Sequence, residues 1–280
     1  MKIKITADST CDLPEELARR YDIAIIPLYV VLNGEMKKDG IEITADEIFK
    51  NVDAGGDIGS TAAVNVADYA DVFSRYLEKY DAIIHFSISS DMSTCYQNAC
   101  IAAEELGNVY PIDSRSLSNG IANLAIDAAI MAEQGMDAAD IKTAVDEMKD
   151  RLDVSFLLDT LTYLHKGGRC SAVAALGANL LSLRPCIEVR GGEMGVGKKY
   201  RGSHEKCLLK YIEDRITERD DIDTKRVFVE HSGLDEELFG RLTDKVRSLG
   251  IFDEVIACRA GCTISNHCGP KCFALMFYTK

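Results

Sequence analysis

Apolar runs and helix-like patterns alternate through the first half of the chain. Residues 3–7 and 82–86 are short and apolar enough to predict buried strands, and residues 67–80 repeat apolar side chains at the spacing of an amphipathic helix. The other elements predicted here are helices at 96–106, 120–134 and 137–152, a second apolar run at 23–32 and a strand at 108–112. Strands that alternate with helices are typical of a parallel sheet covered on both faces.

The pattern changes after residue 152. An Ala/Leu-rich helix is predicted at 172–183, and the Gly191-Gly192 pair predicts a hairpin turn after a strand at 185–189. The rest of the chain alternates helices at 203–218 and 235–249 with strands at 226–231, 254–259 and 273–279. We therefore expect two domains: an N-terminal α/β domain with a parallel sheet over residues 1–154, and a C-terminal α/β domain with a mixed or antiparallel sheet over residues 155–280.

Composition restricts the classes of partner. The 280 residues are 47% apolar and carry 32 basic against 45 acidic side chains, a formal net charge of −13. An acidic surface repels phosphate backbones and anionic lipids, so neither nucleic acid nor a membrane is expected as a default partner. The start of the sequence lacks a signal-peptide pattern, and no run reaches the roughly 18 apolar residues of a membrane span. We therefore expect a cytoplasmic protein whose ten cysteines are mostly thiols.

The charge is unevenly distributed along the chain. Residues 1–110 hold nine basic and 19 acidic side chains, whereas residues 160–215 hold ten basic and five acidic ones. Two interpretations are open at this point: a solvated face balanced by acidic neighbours, or a surface that handles an anion.

Three loops rich in hydroxyl groups follow predicted strands and precede predicted helices. We name them the first (residues 8–12), second (residues 87–94) and third (residues 113–118) hydroxyl loops. Serine, threonine and aspartate in such positions ordinarily cap helices. Because the carboxyl ends of parallel strands meet at one edge of a sheet, three such loops together favour a ligand site, and helix N-termini there suit an anion.

Two further motifs have simpler explanations. Residues 192–198 match the spacing G-x-x-x-x-G-K of a phosphate-binding loop, but Lys199 stands where that loop needs serine or threonine, so a hairpin turn is favoured. The cysteines near the end of the chain are separated by three, five and three residues, which does not match paired zinc ligands. These cysteines, Cys258, Cys262, Cys268 and Cys272, are expected to be buried thiols and not, with His267, a metal site.

An alternative function uses Ser93 and His267. Residues 265–270 are predicted to form a polar turn between apolar strands, and if His267 in that turn faces Ser93, the pair would suit a serine-type acyl hydrolase. The G-x-S-x-G turn that exposes the nucleophile in many such enzymes is missing from the sequence. A receptor for a phosphate-containing ligand is a third alternative.

Ten short motifs, in this order, resemble those of the DegV family of bacterial lipid-binding proteins. They run from one end of the chain to the other, and their order and spacing together are specific. They are DSTCDLP (8–14), PL (27–28), DG (39–40), ST (60–61), SSDMSTCYQ (89–97), IDS (112–114), YLHKGGR (163–169), RP (184–185), KYRG (199–202) and HCGP (267–270).

The resemblance implies a two-domain DegV-like fold that buries a long-chain fatty acid in a tunnel. By position, Thr61, Ser93 and His267 correspond to the residues that hold the carboxylate, and Ser60 and Thr94 to an additional head-group loop. Family members of this kind are acyl-carrying subunits of a fatty acid kinase. A separate ATP-dependent kinase subunit phosphorylates the carboxylate to an acyl phosphate for phospholipid metabolism.

The resemblance also implies what surrounds the bound lipid. Arg169 and Arg201 correspond to basic positions that face the partner and its phosphate, and the helix at 172–183 is expected to line the tunnel. The implied protein is a lipid carrier without a catalytic residue, ATP site, metal or cofactor of its own, and it contacts membranes transiently for lipid exchange. Departures from the family pattern occur at Ala62, Ala63, Thr94 and Lys271.

Overall fold

A computed structural model of the chain describes residues 1–171 and 183–280. The helix predicted at 172–183 therefore lies outside the described residues except for Leu183, which begins a strand. The strands are β1 (Ile3–Asp8), β2 (Ile23–Ile26), β3 (Tyr29–Leu32), β4 (Glu35–Lys38), β5 (Ser60–Ala62), β6 (Ala82–Ser87), β7 (Val109–Asp113), β8 (Leu152–Leu157), β9 (Leu183–Arg190), β10 (Glu193–Arg201), β11 (Ile222–Ser232), β12 (Glu254–Arg259) and β13 (Cys272–Thr279).

Helices separate most of these strands. The described α-helices are α1 (Glu15–Arg20), α2 (Ala45–Asp53), α3 (Val66–Leu77), α4 (Cys95–Leu106), α5 (Asn119–Glu133), α6 (Ala138–Met148), α7 (Thr162–Gly167), α8 (His204–Ile216), α9 (Glu236–Ser248) and α10 (Cys262–Cys268). None of the helices in the described ranges is both long and apolar enough to cross a membrane.

Two main sheets confirm the predicted fold class. The first contains four parallel strands in the order β2-β1-β6-β7, and the second contains six strands in the order β10-β9-β8-β13-β11-β12. The six-stranded sheet is mixed, because β11 and β12 are parallel while its other neighbouring strands are antiparallel. The predicted division at residue 154 falls inside β8 and stays a prediction.

The parallel sheet is buried on both faces. Every residue of β6 is buried, and α5 buries an unbroken run of residues from Asn119 to Ala129. The apolar cluster around this sheet extends into the six-stranded sheet through Phe156 and Met276. Packing on both faces explains why β6 reads as an apolar run and not as an alternating pattern.

The predicted apolar run at 23–32 is two strands in different sheets. β2 belongs to the parallel sheet, whereas β3 pairs with β4 and β5 in a small antiparallel sheet. Pro27 lies between them, and it has no N–H group with which to continue a ladder. The Leu28 N–H is turned aside and donates to Ser9 Oγ at 3.1 Å. This break brings the small sheet, and Thr61 on β5, beside the parallel sheet's carboxyl edge.

Two other segments differ from the predicted pattern. Residues 152–157 form β8, although the predicted helix at 137–152 ran up to its first residue. The predicted polar turn at 265–270 is wrong: residues 262–268 form helix α10, and Gly269, with φ at +72°, ends it. The Gly191-Gly192 hairpin turn is confirmed between β9 and β10.

Candidate functional site

A cavity of about 370 Å³ lies between the second hydroxyl loop, strand β5 and helix α10. Much of its wall is apolar and includes Ile88, Leu117, Phe156 and Met194. Five of the residues predicted from the sequence also line it: Thr61, Ser93, Thr94, Arg169 and His267. A concave apolar volume with a few polar side chains is typical of a site for a small amphipathic molecule.

Thr61 and His267 form a partly buried, hydrogen-bonded polar pair in this cavity. Pairing of Val30 with Thr61 between β3 and β5 places the threonine, and α10 places the histidine. Thr61 Oγ1 and His267 Nε2 are 2.8 Å apart. Burial and the nearby positive charge of Arg169 lower the pKa of His267 to about 4, so its imidazole is neutral at neutral pH.

The surroundings of the imidazole assign its tautomer. His267 Nδ1 is buried and has no hydrogen-bond partner among the described residues. A buried N–H group without an acceptor is rarer than an unpaired acceptor, so the proton is assigned to Nε2, which donates to Thr61 Oγ1. The Thr61 hydroxyl proton is then free to point into the cavity, where it can donate to an anionic or carbonyl oxygen.

Gly167 determines how closely the backbone approaches this histidine. A Cβ atom added at Gly167 would overlap His267 Nδ1, so only glycine fits without moving the ring. Arg169 Nη1 donates to Gly167 O at 2.6 Å, which ties the end of α7 to the arginine at the cavity. The KGGR motif (166–169) thus contributes both a glycine against which the His267 ring packs and the positive charge of Arg169.

Ser93 precedes α4 and has only weak partners. Its Oγ donates to Cys95 Sγ at 3.2 Å and accepts from Cys95 N–H at 3.3 Å. Sulfur is a weak acceptor, so redirecting the hydroxyl proton to an oxygen in the cavity costs little. Ser93 and Thr61 therefore each have a hydroxyl proton that can be directed to a ligand in the cavity, which Thr94 also lines.

The other predicted residues are placed less centrally. Ser60 is exposed and does not line the cavity. Arg169 lines it, but Arg201 does not; it lies at the far end of β10, roughly 20 Å along the strand from Met194. Neither arginine has an ion-pair partner within residues 1–171 and 183–280.

Many other basic residues of the 160–215 stretch are neutralised locally. Arg184 pairs with Asp159 at 3.0 Å, and Arg215 pairs with both Asp153 and Glu188. Lys198 pairs with Asp214. Fewer basic side chains are therefore available to a ligand or partner than the sequence indicates, and Arg169 and Arg201 are among those that are.

The three hydroxyl loops lie at the same sheet edge, as predicted, but they do not form one site. In the first loop, Ser9 Oγ donates to Asp39 at 3.0 Å; in the third, Ser114 Oγ donates to Ser116 O at 3.2 Å. Only the second loop directs several polar side chains into the cavity, and the third contributes just the apolar Leu117. Structural hydrogen bonding therefore explains the first and third loops.

Two carboxylates that are distant in sequence hold the helix that carries His267. Asp12 Oδ1 accepts the N–H of Gly261 at 2.8 Å, and Asp39 accepts those of Cys262 at 2.9 Å and Thr263 at 3.1 Å. Unpaired N–H groups at a helix N-terminus favour such anionic partners. Sequence reasoning did not assign this role to Asp12 and Asp39, and local spacing gives no signal for it.

The structure does not support the hydrolase alternative. His267 Nε2 is bonded to Thr61 and Ser93 Oγ to Cys95, so the serine and histidine are not hydrogen-bonded to each other. Across the described ranges, no three His, Cys, Asp or Glu side chains are grouped to bind a metal ion. Cys258 and Cys262 instead donate to Asn119 and to the Ile43 carbonyl.

Several known proteins are similar to this chain over nearly its full length. A family model described as "Uncharacterised protein, DegV family" matches residues 2–280. A DegV domain-containing protein of Clostridium acetobutylicum is 31% identical over 283 residues, covering 100% of this chain and 99% of the relative. The structure of a fatty acid-binding DegV family protein from Thermus thermophilus matches with a TM-score of 0.90 at 29% identity and 100% coverage of both chains. A stearic acid-binding protein from Eubacterium ventriosum matches with a TM-score of 0.85 at 29% identity, covering 99% of this chain and 98% of that one.

Proposed function

Since the chain belongs to the DegV family, we propose that it binds a long-chain fatty acid in this cavity and presents the carboxyl group to a separate ATP-dependent kinase subunit. The single observation that carries the proposal is the placement of Thr61 and Ser93, two hydroxyl groups whose protons can be directed to a ligand, in one cavity with the apolar side chains of Ile88, Leu117, Phe156 and Met194. Similar proteins of known structure bind fatty acids, including stearic acid.

The head group is held by neutral donors and one nearby cation. A carboxylate that leaves water needs two or three hydrogen bonds to compensate for its lost hydration. Thr61 and Ser93 each donate one through a hydroxyl, His267 fixes the Thr61 hydroxyl from behind, and Arg169 supplies positive charge at the wall. Thr94 offers a further hydroxyl beside Ser93.

The acyl chain supplies most of the affinity. Burial contributes about 0.8 kcal/mol per methylene group, so some fourteen methylenes give an upper limit of about 11 kcal/mol before ordering costs. Ala62, Ala63 and Thr94, three of the four departures from the family pattern, line the cavity. We therefore place the chain's own ligand preference at these three positions.

The kinase step uses the carboxylate as the nucleophile. A carboxylate oxygen of the bound fatty acid attacks the γ-phosphorus of ATP, the bond to the bridging oxygen breaks, and ADP leaves as the acyl phosphate forms. This chain has no ATP site in the proposal; it orients the carboxylate and offers Arg169 and Arg201 to the partner. Because Arg201 lies away from the cavity, its role is in docking and not in binding the lipid.

Extraction and uptake of lipid test the proposed binding. We expect the purified protein to release a long-chain fatty acid that mass spectrometry identifies, and the delipidated protein to take up added stearate or oleate in about one equivalent. Ser93→Ala is expected to weaken uptake. Protein without an extractable acyl chain that also takes up no added fatty acid would refute the proposal.

Charge reversal tests the docking surface. Arg201→Glu should reduce phosphorylation of the bound fatty acid by a kinase subunit about tenfold and leave fatty-acid affinity unchanged, because Arg201 does not line the cavity. Arg247→Glu is a matched control on α9, where the arginine pairs with Asp244. Equal phosphorylation of both variants, or loss of lipid binding in Arg201→Glu, would exclude this assignment.

A further inference from the structure

A buried pair of carboxyl groups lies beneath the helix that carries His267. Ser118 Oγ is 2.7 Å from Asp12 Oδ2 and 2.6 Å from Glu230 Oε1. Ser118 is fully buried, and Asp12 and Glu230 are 8% and 3% exposed. The pair joins the first hydroxyl loop, the third hydroxyl loop and strand β11, and the proposed fatty-acid binding does not use it directly.

The two distances require a proton on one of the acids. A hydroxyl group has one proton, so Ser118 can donate to only one carboxylate. The oxygen on its other side must itself carry a proton and donate to Ser118, because two lone pairs do not attract each other at such a distance. In the described residues, no lysine or arginine is bonded to either carboxyl group to take the place of that proton.

The groups that face the pair are neutral or acidic. Burial raises the pKa of Cys11, Cys258 and Cys262 above the ordinary thiol value, and a hydrogen bond with Cys268 together with burial raises that of Cys272, so these thiols stay protonated. The pKa of His231 is lowered to about 4 by burial, so it is uncharged. The facing groups are Cys11, Asp39, Cys258, Cys262, Cys268 and Cys272. His231 follows Glu230 on β11 and lines a narrow cleft with it, and residues 172–182 contain no ionisable side chain.

The backbone is strained to make this arrangement. Ser118 has φ at +48° and ψ at −135°, a backbone conformation that residues other than glycine rarely adopt. Asp12 is left-handed as well, with φ at +48°. Strain of this kind persists where the surroundings determine it, and it is concentrated at functional positions.

The pair is connected to the proposed head-group site through one helix. Asp12 Oδ1 accepts the Gly261 N–H at the start of α10, and His267 lies near the end of that helix. Glu230 also lines a narrow cleft that shares Leu117, Phe156, Ile264 and Cys268 with the ligand cavity. A second negative charge in the pair would separate the two acids and move Asp12 away from α10.

We propose that Asp12 and Glu230 are positioning residues that hold one proton between them, and that this proton keeps α10 and His267 in place for the ligand. The positioning role rests on the proposed fatty-acid binding, whereas the shared proton does not. Burial and the charge of its neighbour raise the pKa of Asp12, and burial raises that of Glu230 to about 8. The proton is thus kept at neutral pH and lost in alkaline solution.

Thermal unfolding of the wild type and Glu230→Gln tests the proton. A carboxyl group protonated in the folded state but ionised in the unfolded state makes stability fall as pH rises from about 5 to about 8. Glutamine keeps the shape and cannot ionise, so its melting temperature should equal the wild type's near pH 5, exceed it increasingly up to about pH 8 and stay higher by a constant amount above that. Asp12→Asn is a second variant with the same expectation, and Glu254→Gln on β12 is a control for the loss of one charge.

Fatty-acid affinity tests the positioning role. We expect equal stearate affinities for the wild type and Glu230→Gln near pH 6.5, and an affinity about tenfold lower for the wild type near pH 9. Both proteins bind the same stearate at each pH, so the ratio of their affinities does not depend on the ionisation of the ligand. A difference in melting temperature that does not change with pH refutes the shared proton. A pH-dependent melting difference with a constant affinity ratio refutes the positioning role, and absence of binding by both proteins at pH 6.5 refutes the proposed function.

Discussion

The first and second hydroxyl loops follow neighbouring parallel strands and have similar compositions, but the side chains of the first are hydrogen-bonded within the fold and several of those of the second border the cavity. Ser9 in the first loop is enclosed by a donor and an acceptor, Leu28 N–H and Asp39. Ser93 in the second loop has only the Cys95 thiol as its side-chain acceptor and borders the cavity. A hydroxyl-rich loop at a sheet edge is therefore available to a ligand only where its hydroxyl groups lack strong internal partners.

Among the variants considered, Gly167→Ala should lower fatty-acid affinity the most. The added methyl group would displace the His267 ring and break its contact with Thr61, so fatty-acid affinity should fall about a hundredfold. Gly168→Ala is the matched control: its φ of +67° makes alanine strained, but nothing lies within 4 Å of the added atom. Isothermal titration with stearate measures both, and equal losses would mean that strain and not the imidazole contact matters.

Ser93→Ala and Thr61→Val should each weaken stearate binding about tenfold, because each removes one charge-assisted hydrogen bond. Since Ser93 has weak internal partners, its removal should change the free energy of unfolding by less than about 0.5 kcal/mol. Titration of stearate and urea unfolding measure the two quantities. A large stability loss without a loss of affinity would place Ser93 in the same class as Ser9.

Ser9→Ala should show the opposite behaviour. It leaves the Leu28 N–H without an acceptor and removes a donor to Asp39, so unfolding should be easier by about 1–2 kcal/mol. Fatty-acid affinity of the folded variant should stay within about twofold of the wild type. Urea unfolding and stearate titration check this, and a tenfold loss of affinity would show that the first loop belongs to the site after all.

The smallest expected change is in the protonation of His267 near neutral pH. Burial and Arg169 lower its pKa to about 4, so the imidazole signals in a two-dimensional NMR spectrum should stay constant from about pH 7 down to about pH 5.5. Because its folded pKa is depressed, the group reduces stability as pH falls from about 6.5 through 4. A midpoint near the ordinary value of about 6.5 would mean that the ring is hydrated and not held against Thr61.

The parallel sheet and the hairpin were predictable from the sequence because their signals are local. β6 is a nearly continuous apolar run, β1 and β7 are short segments rich in apolar residues, and the Gly191-Gly192 pair marks its turn directly. β8 was missed because the predicted helix was extended to Leu152, although residues 152–156 alternate apolar and polar side chains as a strand does; pairing with β9 and β13 makes the segment a strand.

Helix α10 shows why half of the site escaped local reasoning. Ser265, Asn266 and the Gly269-Pro270 pair are typical of a turn, and the prediction followed them. The helix forms because Asp12 and Asp39 bind its N-terminal N–H groups. The family motifs nevertheless identified Thr61, Ser93 and His267, which the structure brings to one cavity, whereas their roles in holding a carboxylate stay a prediction.

The long sequence separations within the site have a kinetic consequence. Thr61 and His267 are 206 positions apart, and Asp12 and Gly261 are 249 apart. Contacts between distant residues form late in folding, because the entropy of closing a long loop must be overcome first. Recovery of ligand binding after dilution from denaturant should therefore lag behind recovery of helical signal, so binding reports the completed fold.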